Sequence, residues 1–86
     1  MAYNILYKAS VQRDLKRLSK AEAKRVLDRL ERELPKKADA QPALTGRFAG
    51  LRKYRVGDYR VIYAIIGQDV VVLRMTHRKD AYRRGL

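Results

Sequence analysis

The sequence predicts an α+β domain whose elements run β-α-α-β-β-β, a helical hairpin packed on a small, mainly antiparallel sheet. Three observations predict it. Apolar residues recur every three or four positions between Val11 and Leu34, the repeat of one helix face. Residues 51 to 76 read as three strands joined by very short glycine-containing connections, the pattern of an antiparallel meander. A separate alternating stretch, residues 2 to 8, precedes the helices. With 86 residues, 47% of them apolar, the chain suits one domain over residues 1–86 with a single thin core.

Each element has its own signal. In AYNILYK, Tyr3, Ile5 and Tyr7 fall on one face of a first strand. Ser10 is placed to cap a short helix, in which Val11, Leu15 and Leu18 share a face. Ser19 and Glu22, in SKAE, have the spacing of a capping box, so a second helix starts near Lys20. That helix carries Ala23, Val26, Leu27, Leu30 and Leu34 on one stripe, and Pro35, which cannot continue the hydrogen-bond ladder, is expected to stop it. On its solvent side the pairs Lys24/Asp28, Asp28/Arg32 and Arg29/Glu33 are each four apart, so much of this charge is compensated locally. From Lys36 to Gly50 the composition is that of a loop. Three strands follow: LRKYRV, a turn at Gly57-Asp58, YRVIYAII, a turn at GQD, and VVVLRMT. The tail, HRKDAYRRGL, is short and polar. Tyr59, Tyr63 and Met75 read as packing residues and Asp58 as a turn residue.

Composition narrows the function. Without cysteine the chain forms neither a disulfide framework nor a thiolate metal site, and no metal or other cofactor is expected. Residues 1–10 lack the basic stretch and apolar run of a signal peptide, and no run approaches the length of a spanning helix, which points to a cytoplasmic protein with no membrane partner. The charge is the strongest signal: 21 Lys+Arg against 9 Asp+Glu, a net of +12, calls for a polyanionic partner such as nucleic acid. Residues 51–86 hold 9 basic and 3 acidic residues, against 12 and 6 in residues 1–50, so the strands are the less compensated part. Since their apolar residues are needed under the helices, their cations must gather on the other face or at strand ends.

A solvated basic strand face would account for these cations without any ligand. RNA cleavage offers them a chemical use. Attack of a ribose 2′-hydroxyl on the adjacent phosphate needs a base, cations on the non-bridging oxygens and an acid for the leaving oxygen, but no carboxylate pair. Lys53 and Arg55 share a strand face, and Arg60 reaches the same side if the hairpin twists or bulges. Arg78 follows the last strand. Crowding by cations disfavours the charged form of a lysine, and Lys53 sits among Arg52, Arg55 and Arg60, which makes it a candidate base. Tyr82 would stack on a base of the RNA. His77, the only histidine, is a second candidate for proton transfer, although a lone histidine at a strand end is also an ordinary surface residue. Arg52, Arg74, Lys79 and Arg83 would extend the grip on RNA phosphates.

In the stretches YNILYKASVQRDLKRL, LTGRFAGLRKYRVGDYRVIY and VVVLRMTHRKDAY the sequence resembles the RelE/ParE superfamily of toxins from type II toxin–antitoxin systems, YRVGDYRVIY and HRKDAY being the specific parts. Similarity to the RelE-like branch implies the RelE-like fold and a ribosome-dependent mRNA endoribonuclease, an mRNA interferase. It also implies a site built from Lys53 and Arg55 on the strand before the turn, Arg60 of the Tyr-Arg pair, Arg78 after the last strand, and Tyr82. Two departures bear on this. Arg55 stands where a lysine often serves as base, and arginine stays protonated, leaving the base open between Lys53 and His77. The tail is also short. The implied partners are the ribosome, mRNA and a cognate antitoxin whose acidic segment folds on binding. The ParE-like branch implies an alternative, a non-nucleolytic toxin that binds and poisons DNA gyrase. A non-catalytic RNA-binding domain is a third reading.

Overall fold

The computed structural model describes residues 2–46 and 49–77. Strand β1 (Asn4–Tyr7) leads into helix α1 (Ala9–Leu15) and helix α2 (Lys20–Lys37), which ends in a 3₁₀ turn over Ala38–Ala40. Strands β2 (Arg52–Val56), β3 (Tyr59–Ile66) and β4 (Asp69–His77) follow. The sheet order is β1-β4-β3-β2, with β1 parallel to β4 and the other pairs antiparallel. The predicted α+β architecture is therefore the one observed, with both helices in the crossover between β1 and the meander.

The core lies between helices and sheet. Val26, Leu30 and Leu34 of α2 and Val11 of α1 are fully buried against Tyr54, Val56, Tyr59, Val61, Tyr63, Val70, Val72 and Met75. Burying a side chain of this size contributes roughly 1.5–3 kcal/mol. Tyr3, Ile5 and Tyr7 pack against the same core from β1, on the face their alternation predicts.

α1 closes an exposed edge. β1 covers β4 only from Asp69 to Val72, which would leave the rest of that edge unpaired. α1 takes over where β1 ends: the Ser10 hydroxyl donates to the Leu73 carbonyl at 2.6 Å, and the Met75 N–H donates to the Asp14 carboxylate at 2.9 Å. Opposite β3, the register slips so that Ile62 pairs with Arg74 and Tyr63 with Val72. Leu73 is the extra residue of a β-bulge, which lets Val70, Val72 and Met75 all reach the core.

Three local expectations are corrected. Ser10 is not a cap: Lys8 holds that position, and Ser10 lies inside the helix with its hydroxyl on β4. Half of the predicted capping box forms, the Glu22 N–H donating to Ser19 Oγ at 3.2 Å, while the Glu22 carboxylate accepts from the Tyr59 hydroxyl. Pro35 does not stop α2, which runs on to Lys37. So close to the helix end, proline removes one donor, and tertiary contacts hold the last turns: Pro35 and Ala38 carbonyls accept from the Tyr3 N–H and the Tyr63 hydroxyl. On the solvent side Arg29 pairs with Glu33 at 3.1 Å, as the spacing predicts, and Glu33 also takes Lys37 at 3.3 Å. Among the described residues, no helix is long and apolar enough to cross a membrane.

Candidate functional site: the cationic face of the hairpin

The β2–β3 turn sets the geometry. Val56 pairs with Tyr59 across the two-residue loop Gly57-Asp58, and Gly57 takes a φ of 58°. Only the first loop residue is left-handed, the requirement of a type II′ turn, whose twist matches the strands it joins. With the closing pair hydrogen-bonded, the next pair, Arg55 and Arg60, is of the non-hydrogen-bonded kind, with Cα atoms about 4.5 Å apart. Two arginines thus stand directly opposite each other. No twist or bulge of the hairpin is needed to bring Arg60 to the side of Lys53 and Arg55; the register does it.

Parity then sorts the hairpin. Tyr54, Val56, Tyr59, Val61 and Tyr63 face the helices. Lys53 and Arg55 on β2, with their partners Ile62 and Arg60 on β3, take the opposite face. Like charges at directly opposed positions destabilise a sheet by a few tenths to about 1 kcal/mol. Arg55 has a local brace, Nε donating to the Gly57 carbonyl at 3.3 Å. Chemically the face offers an ammonium and two planar, permanently charged forks, a set that matches the non-bridging oxygens of a phosphodiester.

The structure places Arg52, Arg74 and His77 elsewhere. Arg52 shares the parity of Tyr54, and its Nη1 donates to the Gln41 carbonyl at 2.7 Å. Arg74 is held by Asp14 in a two-pronged ion pair, Nε to Oδ2 at 3.0 Å and Nη2 to Oδ1 at 3.1 Å, and this hydrogen bonding raises its pKa. His77 pairs with Tyr59 in register, and the two rings meet edge to face with centroids 5.2 Å apart, which sets His77 on the helix-facing side. Arg78, Lys79, Tyr82 and Arg83 lie outside the described residues.

Sequence reasoning missed Asp14. This residue is buried, and its carboxylate accepts from Arg74 and from the Met75 N–H. The available signal was an acidic residue one turn beyond Val11 on the apolar face of a short helix. Three tyrosine–carboxylate bonds from sheet to α2 were also missed: Tyr7 to Glu31 at 2.7 Å, Tyr54 to Glu33 at 3.2 Å and Tyr59 to Glu22 at 2.7 Å. The Glu22 bond, with burial, pushes the Tyr59 phenol up to about 12, and burial pushes Tyr63 up to about 12. Burial and Glu31 raise Tyr7 as well. These phenols hold the helix; they are not poised for proton transfer.

Comparison with known proteins follows the same lines. A family model described as the ParE toxin of a type II toxin–antitoxin system, parDE, matches residues 5–82. Among solved structures, the RelBE2 toxin–antitoxin complex of Mycobacterium tuberculosis is similar with a TM-score of 0.83 and 27% identity, over 91% of this chain and 100% of that one. The archaeal RelE–RelB complex of Pyrococcus horikoshii OT3 is similar at 30% identity with a TM-score of 0.61, over 91% and 97% of the two chains. The chromosomal ParDE system of P. aeruginosa shares the fold at 11% identity, TM-score 0.69, over 88% and 96%. No curated protein matches in sequence.

Proposed function

We propose, on the premise that the chain belongs to the ParE toxin family of type II toxin–antitoxin systems, within the RelE/ParE superfamily, that this toxin acts as a ribosome-dependent endoribonuclease on mRNA. The observation that carries the proposal is the opposed Arg55–Arg60 pair beside Lys53 on the sheet face away from the helices. The pair sets two guanidinium groups side by side, an arrangement that a phosphate can bridge. The relatives at 27% and 30% identity are RelE-named, which favours the nuclease branch.

In this reading Arg55 and Arg60 grip the non-bridging oxygens of the scissile phosphate and stabilise the charge that gathers there in the transition state. Lys53, on the same face, takes the proton of the ribose 2′-hydroxyl. The 2′-oxygen forms a bond to phosphorus as the bond from phosphorus to the 5′-oxygen breaks. The products are a 2′,3′-cyclic phosphate and, once the leaving oxygen is protonated, a 5′-hydroxyl. Arg78 and Tyr82 complete the proposed set as a further phosphate contact and a stacking ring. Lys79 and Arg83 would grip the RNA further along, whereas Arg52 and Arg74 are already committed to the Gln41 carbonyl and to Asp14. A cognate antitoxin with an acidic segment would cover the cationic face, in keeping with the antitoxin-bound state of the two RelE-named relatives.

The family model itself favours a second reading, a ParE-like toxin that poisons DNA gyrase. One experiment separates the two: incubate the protein with translating ribosomes and, in parallel, with gyrase and relaxed plasmid. The proposal expects mRNA fragments in the first and unimpaired supercoiling in the second. Intact mRNA with inhibited supercoiling would overturn it in favour of the gyrase reading.

A further inference from the structure

The solvent face of α2 carries Arg25, Arg29, Arg32 and Lys36 at intervals of four, three and four, so these cations form one stripe, about 16 Å long, on the side away from the core. All four are exposed. The sequence predicts that carboxylates on the same helix neutralise much of this charge, and the structure shows where those carboxylates go instead. Glu22, Glu31 and Glu33 turn to the sheet and accept from the Tyr59, Tyr7 and Tyr54 hydroxyls. Glu33 also pairs with Arg29. Among the described residues, Asp28 forms no ion pair with Lys24 or Arg32, and Arg25, Arg32 and Lys36 form none at all.

The stripe meets the cationic face of the hairpin at the β2–β3 turn. Arg25 and Arg29 line a cleft with Val56 and Gly57, and the Gly57 carbonyl accepts from Arg55 Nε. Three arginines therefore converge on one glycine, two from α2 and one from β2. We infer that the stripe is a backbone track for the substrate: the single-stranded RNA gripped at its scissile phosphate by Arg55 and Arg60 runs on round the turn and along α2, where Arg25, Arg29, Arg32 and Lys36 hold its further phosphates. The inference rests on the nuclease reading above. A row of cations without an aromatic ring among them contacts phosphates and not bases, so the track is indifferent to sequence. An acidic protein segment fits less well, because it would need apolar anchors, and the groove beside the stripe offers only Ala21 as an apolar lining residue.

The test is fluorescence anisotropy of the full chain with labelled, 2′-O-methylated oligouridylates of four and twelve nucleotides, which stay intact because the attacking hydroxyl is blocked. The twelve-mer should bind at least tenfold more tightly than the four-mer. Arg25→Gln/Arg32→Gln/Lys36→Gln should weaken the twelve-mer at least tenfold and leave the four-mer within threefold. It should also lower the slope of log K against log salt by about 2, the value for three phosphates of a single strand. Glutamine is as good a helix former as arginine or lysine, so the fold is kept. The control, Arg13→Gln/Lys16→Gln/Arg17→Gln, removes the same charge from exposed positions in and just after α1 and should leave both probes within threefold. Equal losses in the two variants would reduce the stripe to net charge and overturn the inference, as would binding that does not depend on length. A twelve-base-pair RNA duplex or polyglutamate that binds more tightly than the single strand, and is lost in the α2 variant, would overturn it by naming another occupant. Intact mRNA on translating ribosomes would defeat the nuclease reading instead, and the titration would still judge the track.

Discussion

Asp14 engages β4 with both carboxylate oxygens, taking the Arg74 guanidinium and the Met75 N–H. Asp14→Ala would strand a charge and a buried amide together. Removing one partner of a buried pair costs about 3–5 kcal/mol, and the 30% exposure of the Arg74 side chain lowers the expectation here to about 2–3 kcal/mol. Urea denaturation measures it, and a loss below about 1 kcal/mol would mean that apolar contacts alone seat α1. The same residue shows where sequence reading stops. Lys53 and Arg55 were legible as sharing a face because strand parity is local; Arg60 was legible as a cation across the turn, but its side was expected to need a twist or bulge, whereas the register of the two-residue turn supplies it. Arg52 and Arg74 were legible as cations and not as bound ones. Their partners, the Gln41 carbonyl and Asp14, come from 11 and 60 positions away, and no local pattern encodes those contacts.

At the scale of elements, the β2–β3 hairpin places two arginines directly opposite each other. Arg55→Thr removes the opposed pair and supplies a strand-favouring residue, so it should stabilise the fold by roughly 0.2–1 kcal/mol while reducing mRNA cleavage at least tenfold. Thermal unfolding at low salt beside a cleavage assay checks both halves; a variant that is less stable, or equally active, would contradict the clamp. The ties between sheet and α2 make a pH prediction. Tyr59 and Tyr63 both titrate at about 12 in the folded chain against an ordinary 10. The folded state therefore holds more protons than the unfolded state between those values. The stability this represents is complete below pH 10 and is lost as pH rises through about 12. Tyr59→Phe should flatten that alkaline loss and, at neutral pH, cost about 1 kcal/mol for the bond to Glu22. Equilibrium unfolding between pH 8 and pH 12 measures it. The strands and α2 were legible to within a few residues because their periods are strong. The Leu73 bulge and the run of α2 past Pro35 were not, since both depend on what packs against them.

For the whole molecule, a net charge of +12 over one thin core means that folding gathers repelling charge and that an anionic partner relieves it. The fold was legible as an order of elements, because helix and strand periods alternate cleanly along the chain. The parallel placement of β1 beside β4 was not, because pairing across 65 residues leaves no mark in either strand. In the proposed function, the cationic hairpin face performs transesterification on mRNA. It is tested most directly by mapping the 5′ ends of mRNA from a purified translation system, with wild-type protein and with Arg60→Ala, and scoring whether those ends carry a hydroxyl. New 5′-hydroxyl ends within translated codons are expected, reduced at least a hundredfold in the variant. Intact mRNA with folded wild-type protein, or ends that persist undiminished in Arg60→Ala, would contradict it.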